Sequence, residues 1–162
     1  MRRRIRQGSE GFTLLELLLV LAILGVLAGI AAPIGELTLQ RHREAELRLA
    51  LREIRGAIDA HKRAYDEGRI LKTLNSTGFP KTLATLVEGV EDARDPKKAK
   101  MYFLRRIPPD PMASGSTADP AATWGKRAYA SEPQEPKEGE DVYDVFSRSA
   151  RVGLNGVPYN KW

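Results

Sequence analysis

A single carboxylate stands inside the most apolar stretch of the chain. Residues 12–34 read FTLLELLLVLAILGVLAGIAAPI, and Glu16 is the one charged residue among them. At the centre of a membrane helix a carboxylate costs roughly 2.5–3.5 kcal/mol, and even near the helix end it calls for a partner. The chemistry that Glu16 predicts is therefore an ion pair with a positive group in a low-dielectric setting.

The residue types of common enzyme sites are scarce. The 162 residues include no cysteine and two histidines, His42 and His61. The sequence thus lacks a thiolate nucleophile, a cysteine-based zinc site and a disulfide. The histidines are too far apart on one predicted helix to share a metal, and we expect both at the surface. With scattered carboxylates and no phosphate-binding Gly-rich loop, the sequence favours a non-enzymatic protein over a membrane-anchored enzyme.

The apolar stretch is long enough to span a membrane and follows a basic head. At about 1.5 Å per residue, residues 12–34 would extend roughly 34 Å, against a bilayer core of about 30 Å. The arginines that precede the stretch place the N-terminus in the cytoplasm and the bulk of the protein across the membrane. These arginines are Arg2, Arg3, Arg4 and Arg6.

Three interpretations compete for this segment. A cleaved secretory signal has an apolar core of about 7–15 residues, which is shorter than this one. Cleavage near residues 31–32 would also leave Pro33 directly after the cut. A plain single-pass anchor does not account for Glu16.

The third interpretation rests on residues 11–16, GFTLLE, which resemble the prepilin cleavage and methylation motif of type IV pilins and type II secretion pseudopilins. The resemblance implies that a prepilin peptidase cuts between Gly11 and Phe12 on the cytoplasmic side. It also implies methylation of the new Phe12 amine. Glu16 then becomes the fifth residue of the mature chain and faces the N-terminal amine of a neighbouring subunit.

Three residues interrupt the apolar helix. Gly costs about 1 kcal/mol and Pro about 3 kcal/mol in a helix interior. Gly25, Gly29 and Pro33 are therefore predicted sites of helix flexibility. In filaments of the type IV pilin family the corresponding stretch is locally unwound, although Gly and Pro are also simply tolerated in membrane helices.

From Glu36 to about Glu67 the pattern predicts a continuing, amphipathic helix that ends near Gly68. Its apolar stripe consists of Leu47, Ala50, Leu51, Ile54, Ala57, Ile58 and Tyr65. The opposite face is charged, and we expect it to be solvated or to contact other subunits. It carries Arg41, Arg43, Glu44, Arg48, Arg52, Arg55, Lys62 and Arg63.

The rest of the chain predicts a small mixed head. Residues 81–87 read as a short helix, 126–130 and 142–147 as strands, and 89–100 and 112–123 as loops.

The predicted fold class is therefore α+β, with a long N-terminal helix packed on a small antiparallel sheet, as in type IV pilins. The predicted divisions are a leader at 1–11, a transmembrane or filament-core helix at 12–35, an amphipathic half at 36–68 and a globular head at 69–162.

The pattern of the head resembles that of major pseudopilins of the type II secretion system, known as general secretion pathway protein G. The resemblance is carried by Phe79-Pro80, Leu83, Leu86, Leu104, Ile107-Pro108, Asp110-Pro111, Trp124-Gly125, Tyr129, residues 143–147 and Trp162. One departure is that residues 112–123 separate Asp110-Pro111 from Trp124-Gly125, which usually follow one another directly.

A second departure concerns calcium. Members of that family commonly hold Ca²⁺ in a C-terminal loop rich in Asp and Gly, and Ca²⁺ favours carboxylate ligands. Residues 147–162 contain no Asp or Glu and three basic residues. We therefore expect no cofactor and no family-type calcium site. Packing would hold the loop instead, with Tyr159 and Trp162 as its anchors.

The function that the resemblance implies is structural. The protein would leave the inner membrane and stack into a helical homopolymer, the pseudopilus, which drives export of folded proteins across the outer membrane. The implied partners are other copies of the chain, the prepilin peptidase, minor pseudopilins and an inner-membrane assembly platform. The alternative is a type IV pilin or minor pilin for adhesion, motility or DNA uptake.

The positive charge of the chain does not predict a nucleic-acid partner. The formal net charge is +5, but residues 1–11 contain four arginines and one glutamate and so account for +3. The mature chain would keep +2. The excess therefore indicates membrane topology, and the amphipathic helix also lacks the aromatic platforms typical of single-strand binding.

Overall fold

The computed structural model describes residues 12–74, 76–115 and 118–162, and for residues 30–34 it describes the backbone alone. The chain divides into two compact units, one that ends at Gln40 and one that runs from Arg41 to Trp162. The predicted leader, with the expected cleavage residue Gly11, lies outside the described residues.

The first element is the helix α1, Leu14–Asp66, of 53 residues. It ends in a glycine-dependent cap, as the sequence predicts. Gly68 has a φ of +72°, and its N–H donates to the Tyr65 carbonyl, while the Arg69 N–H donates to the Ala64 carbonyl. This pair of bonds is the Schellman arrangement, which satisfies carbonyls that a helix end leaves unpaired.

The second unit is built on the apolar stripe of α1. Leu47, Ile54 and Ile58 are at most 1% exposed, and they belong to one buried cluster with side chains from the rest of the unit. The other members of that cluster are Ala50, Leu51, Ala57, Leu83, Leu86, Leu104, Met112, Trp124, Val142, Val145 and Tyr159.

A second helix, α2, runs over Leu83–Glu88. It begins two residues later than predicted, because the Thr82 side chain caps it by accepting a hydrogen bond from the Thr85 N–H. Leu83 and Leu86 both point into the core.

The strands form two antiparallel pairs. β1, Val90–Glu91, pairs with β2, Lys100–Met101. β3, Trp124–Arg127, pairs with β4, Asp144–Ser147, with Trp124 opposite Ser147. The α+β prediction is confirmed, while several local predictions need correction.

Residues 89–100 were predicted to be a loop, but both ends of this segment join a short strand pair. The sequence did not predict this strand pair, because a strand of two residues is too short to show the alternation of apolar and polar residues that identifies strands. The other two strands are shorter or shifted relative to the predicted 126–130 and 142–147. In the predicted loop 112–123, Pro120–Thr123 form a 3₁₀ turn capped by Asp119.

Candidate functional site: the N-terminal segment and the C-terminal loop

Thr13 starts the helix that carries Glu16. The Thr13 hydroxyl accepts a hydrogen bond from the Glu16 N–H at 3.3 Å, and its carbonyl accepts from the Leu17 N–H at 3.1 Å. Glu16 thus lies in the first turn, where the helix dipole favours negative charge. Sequence reasoning missed this role of Thr13, although the Thr-x-x-Glu spacing is a known capping signal.

The other predicted site residues of the N-terminal segment that the structure describes also lie on or next to α1. Phe12 precedes the helix and is 75% exposed. Gly25 and Gly29 are helical, and a Cβ added at either would meet nothing within 4 Å. Pro33 lies within the bounds of α1, in the stretch for which the backbone alone is described. Their role in flexibility stays a prediction.

Over its described residues, the first unit exposes many large apolar side chains. Its exposed large side chains are Phe12, Leu14, Leu15, Leu17, Leu18, Leu19, Val20, Leu21, Ile23, Leu24, Val26, Leu27, Leu37 and Leu39. A contiguous apolar surface of this kind marks contact with lipid or with other apolar helices. Over the described residues, no helix combines the length and the apolarity needed to cross a membrane.

The C-terminal loop is fastened to α1 by a buried carboxylate. Glu44 is 3% exposed, and its Oε1 accepts hydrogen bonds from the Leu154 N–H at 2.8 Å and from the Tyr159 hydroxyl at 2.9 Å. Tyr159 itself is 2% exposed. The expectation that Glu44 belongs to a solvated face is wrong. Its spacing of three residues before Leu47 places it on the buried stripe, and this spacing was the signal that could have found it.

Trp162 closes the same loop. Its ring meets the Tyr159 ring edge-on at 5.1 Å, and its indole N–H donates to the Val157 carbonyl at 3.2 Å. The Arg48 guanidinium lies 4.5 Å from the centre of the Trp162 ring. Gly153 allows the Trp162 ring to pack against the backbone of the loop, because a Cβ at Gly153 would lie 2.6 Å from the indole.

Arg55 connects α1 to β4 and to the C-terminal residue. Its Nε donates to Asp144 Oδ1 at 2.7 Å, and its Nη2 donates to the carbonyl of Val145 at 3.0 Å and to the main-chain oxygen of Trp162 at 2.9 Å. Arg55 was predicted to lie on the charged outer face. The structure instead uses its planar, many-donor head to tie three parts of the second unit together.

His61 is the other correction on α1. It was expected at the surface, but it is 5% exposed, and its Nδ1 lies 3.0 Å from the carbonyl oxygen of Gly78. Its ring meets Phe103 edge-on at 5.2 Å. Burial lowers the pKa of His61 below its ordinary value of 6.5, against an opposing effect of the Gly78 hydrogen bond.

A metal centre built from side-chain ligands is absent from the described part of the chain. No group of three or more His, Cys, Asp or Glu residues there could hold a metal ion. The carboxylate that accepts a hydrogen bond from the backbone of the C-terminal loop belongs to Glu44 of α1 and not to a residue of the loop. The expectation of no calcium site stays a prediction.

Comparison with known proteins bears on the N-terminal segment. Residues 6–32, about a sixth of the chain, match the prokaryotic N-terminal methylation motif. The chain gives no match to curated proteins or to solved structures. The matched segment includes Gly11, Phe12 and Glu16, and it is a prepilin-type signal that indicates a type IV pilin-like subunit processed by a prepilin peptidase.

Proposed function

We propose that this protein is a structural subunit of a type II secretion pseudopilus, assembled from the inner membrane to drive export of folded proteins. The observation that supports a subunit assembled from the membrane is the methylation-motif match at residues 6–32, which covers the start of a helix with exposed apolar side chains. The choice of the pseudopilus rests on the head pattern. Such a helix has two suitable environments, a bilayer before assembly and a bundle of identical helices after it.

The groups that would pair during assembly are the amine of Phe12 and the carboxylate of Glu16. Cleavage after Gly11 would create an amine on Phe12, four residues before the carboxylate. Paired between subunits in an apolar bundle, the two opposite charges would offset each other's desolvation cost. A subunit that lacks the carboxylate would bury an uncompensated amine, which opposes its addition to the filament.

The membrane location follows from the same segment. The arginines before residue 12 would keep the N-terminus cytoplasmic, and the second unit would lie in the periplasm. Minor pseudopilins and an inner-membrane platform are the proposed assembly partners, and the energy for assembly would come from a separate cytoplasmic ATPase.

A type IV pilin for adhesion, motility or DNA uptake is the alternative. The matched motif serves both proposals equally, since it ends at residue 32. The pseudopilus is favoured by the head pattern. It is also favoured by the absence of cysteine, because many type IV pilins close a C-terminal loop with a disulfide, whereas here Glu44 and Arg55 hold the loop.

The role of Glu16 can be tested with a matched pair of variants. Glu16→Gln should leave cleavage and methylation intact but abolish filament formation in the host. Glu36→Gln changes another exposed carboxylate of the same helix and should assemble normally. Equal assembly of both variants, measured by sedimentation of sheared filaments, would rule out the intersubunit ion pair.

A deletion strain separates the two functions. Loss of exoprotein secretion with normal twitching and transformation is the expected result. Intact secretion with loss of twitching or transformation would favour the pilin instead.

A further inference from the structure

A basic groove lies between α1 and the C-terminal loop. It has a volume of 370 Å³, and its cationic side chains are Arg48, Arg52, Arg55 and Lys161, beside the ring of Trp162. Arg55 forms an ion pair with Asp144. Arg48 lies over the Trp162 ring, and its guanidinium is 3.8 Å from the Glu44 carboxylate.

Two of these cations are available to a ligand. Arg52 and Lys161 are exposed, and neither side chain makes a hydrogen bond or ion pair within the described residues. The groove therefore presents positive charge that the chain itself does not neutralise.

An acidic loop projects elsewhere from the same unit. Residues 131–140, which connect β3 to β4, contain four glutamates against one lysine and are exposed along nearly their whole length. The glutamates are Glu132, Glu135, Glu138 and Glu140.

The loop has a fixed shape. The Ser131 hydroxyl donates to the Glu135 carbonyl at 3.1 Å and accepts from the Lys137 N–H at 2.8 Å. The Ala128 N–H donates to the Lys137 carbonyl at 2.9 Å. A loop that is already ordered loses less conformational entropy when it binds.

The acidic loop does not use the groove of its own chain. The ion pairs of its carboxylates in the described part of the molecule go to Lys126, Lys137 and Arg148, and none reaches Arg52 or Lys161. Glu132 and Glu140 make no ion pair there. One chain thus carries two separate surfaces of opposite charge.

Two different, complementary surfaces are what an open polymer needs. An isologous contact between identical patches closes into a dimer, whereas a heterologous contact between unlike patches can propagate as a helical filament. Opposite charges at such a contact set its register and disfavour contacts between like surfaces.

We propose that the acidic loop of one subunit, residues 131–140, binds the basic groove of a second copy of this chain, at Arg52 and Lys161. This inference rests on the proposed self-assembly, and it adds a heterologous contact between the second units of neighbouring subunits. The occupant is a second copy because the complementary charges are carried by the same chain.

The absence of cysteine gives a clean crosslinking test. Full-length chains carrying Arg52→Cys and Glu135→Cys together should form a ladder of disulfide-linked multimers when oxidised in host cells. Arg63→Cys with Glu135→Cys is the matched control, since Arg63 is an exposed arginine of α1 outside the groove. The control should stay at the background yield.

A charge swap tests direct pairing. Arg52→Glu with Lys161→Glu should reduce recovery of sheared filaments to the level of an unassembled sample, and so should Glu132→Lys with Glu135→Lys. Combining all four changes should restore filaments, because the opposite charges then face each other again. Rescue distinguishes pairing from a general loss of folding.

The outcomes separate this inference from the proposed function. Normal filaments from each reversed variant, or equal crosslinking of test and control pairs, would overturn the loop-in-groove contact while leaving the pseudopilus proposal standing. Failure of the unaltered, cleaved chain to form any filament would overturn both.

Discussion

At the residue scale, Glu44 shows how one side chain can hold a loop that contains no Asp or Glu. The carboxylate accepts from a backbone N–H and a tyrosine hydroxyl of the C-terminal segment, both at less than 3 Å. Its position beside Leu47 on the buried stripe places a negative charge against a segment that contains basic residues. We infer that the loop depends on this contact for its order.

Replacing Glu44 tests that dependence. Glu44→Ala removes the acceptor shared by Leu154 and Tyr159, and we expect a loss of about 1–3 kcal/mol in the free energy of unfolding. Glu44→Gln keeps a carbonyl acceptor and should lose less. Denaturant titration of the full chain in mild detergent, followed by fluorescence of Trp124 and Trp162, measures both.

Glu46→Ala is the control, since Glu46 lies on the exposed side of α1 and pairs with His42 at 3.2 Å. Exposed ion pairs contribute about 0–1 kcal/mol, so this change should be nearly neutral. A loss for Glu44→Ala no larger than that of the control would contradict the role assigned to Glu44.

His61 gives the fold a pH dependence. Because burial lowers the pKa of His61, the unfolded chain binds a proton more readily than the folded one. The stabilising contribution of the neutral ring is therefore complete above about pH 6.5 and is lost as the pH falls through the folded-state pKa.

We expect the melting temperature of the full chain in detergent to fall between pH 7 and pH 5, and His61→Gln to weaken that fall. His42→Gln changes an exposed histidine and should leave the pH profile of the unaltered chain in place. If the profile is the same for all three proteins, His61 does not control it.

At the element scale, hydrophobic periodicity predicted α1 well because its second half has a strong helical stripe. Its end was predictable for a related reason, since Gly68 can adopt the positive φ that closes a helix. The short strand pair at Val90–Glu91 and Lys100–Met101 was not predictable, because it is defined by pairing across a turn and not by local pattern.

The charged residues of α1 were harder to assign than its apolar ones. The helical period places Glu44, Arg55 and His61 on a face of α1 from their spacing alone. Their hydrogen-bond partners lie 17 to 115 positions away in the sequence. Nothing in the local sequence identifies such partners. Only the placement of β4, of the C-terminal loop and of the segment at Gly78 beside α1 does.

Arg55 connects α1 to β4 and to Trp162 through three hydrogen bonds. Arg55→Met should lower the free energy of unfolding by about 1–3 kcal/mol, because it removes charge-assisted hydrogen bonds to Asp144, Val145 and Trp162. Arg55→Lys keeps the charge but not the fork of donors, so we expect an intermediate loss.

Arg63→Met changes an exposed arginine of the same helix and serves as the control for lost helix charge. The same denaturant titration compares the three variants. Equal stability of Arg55→Met and Arg63→Met would show that the three-way contact of Arg55 contributes nothing.

At the scale of the whole molecule, the two units of the chain differ in how far they bury their apolar side chains. The second unit buries its own apolar side chains around α1, whereas the first leaves Phe12 and the leucines of its helix exposed. Exposed apolar side chains of this kind mark a surface that contacts lipid or other apolar helices. The described part of the matched motif, residues 12–32, lies within that unit.

The N-terminal part of the candidate site was easier to predict from the sequence than the C-terminal loop. The motif around Gly11 and Glu16 could be read directly, because a peptidase recognises a local sequence. The anchoring of Tyr159 and Trp162 could only be expected in outline, since Glu44 and Arg55 reach them across more than 100 residues of sequence.

Processing as a prepilin would leave a defined N-terminus on the mature chain. The most direct measurement is N-terminal mass analysis of the protein isolated from its host membranes. We predict that the chain begins at Phe12 and carries a methyl group on its amine. An intact Met1, or a chain that begins near Pro33, would contradict this processing.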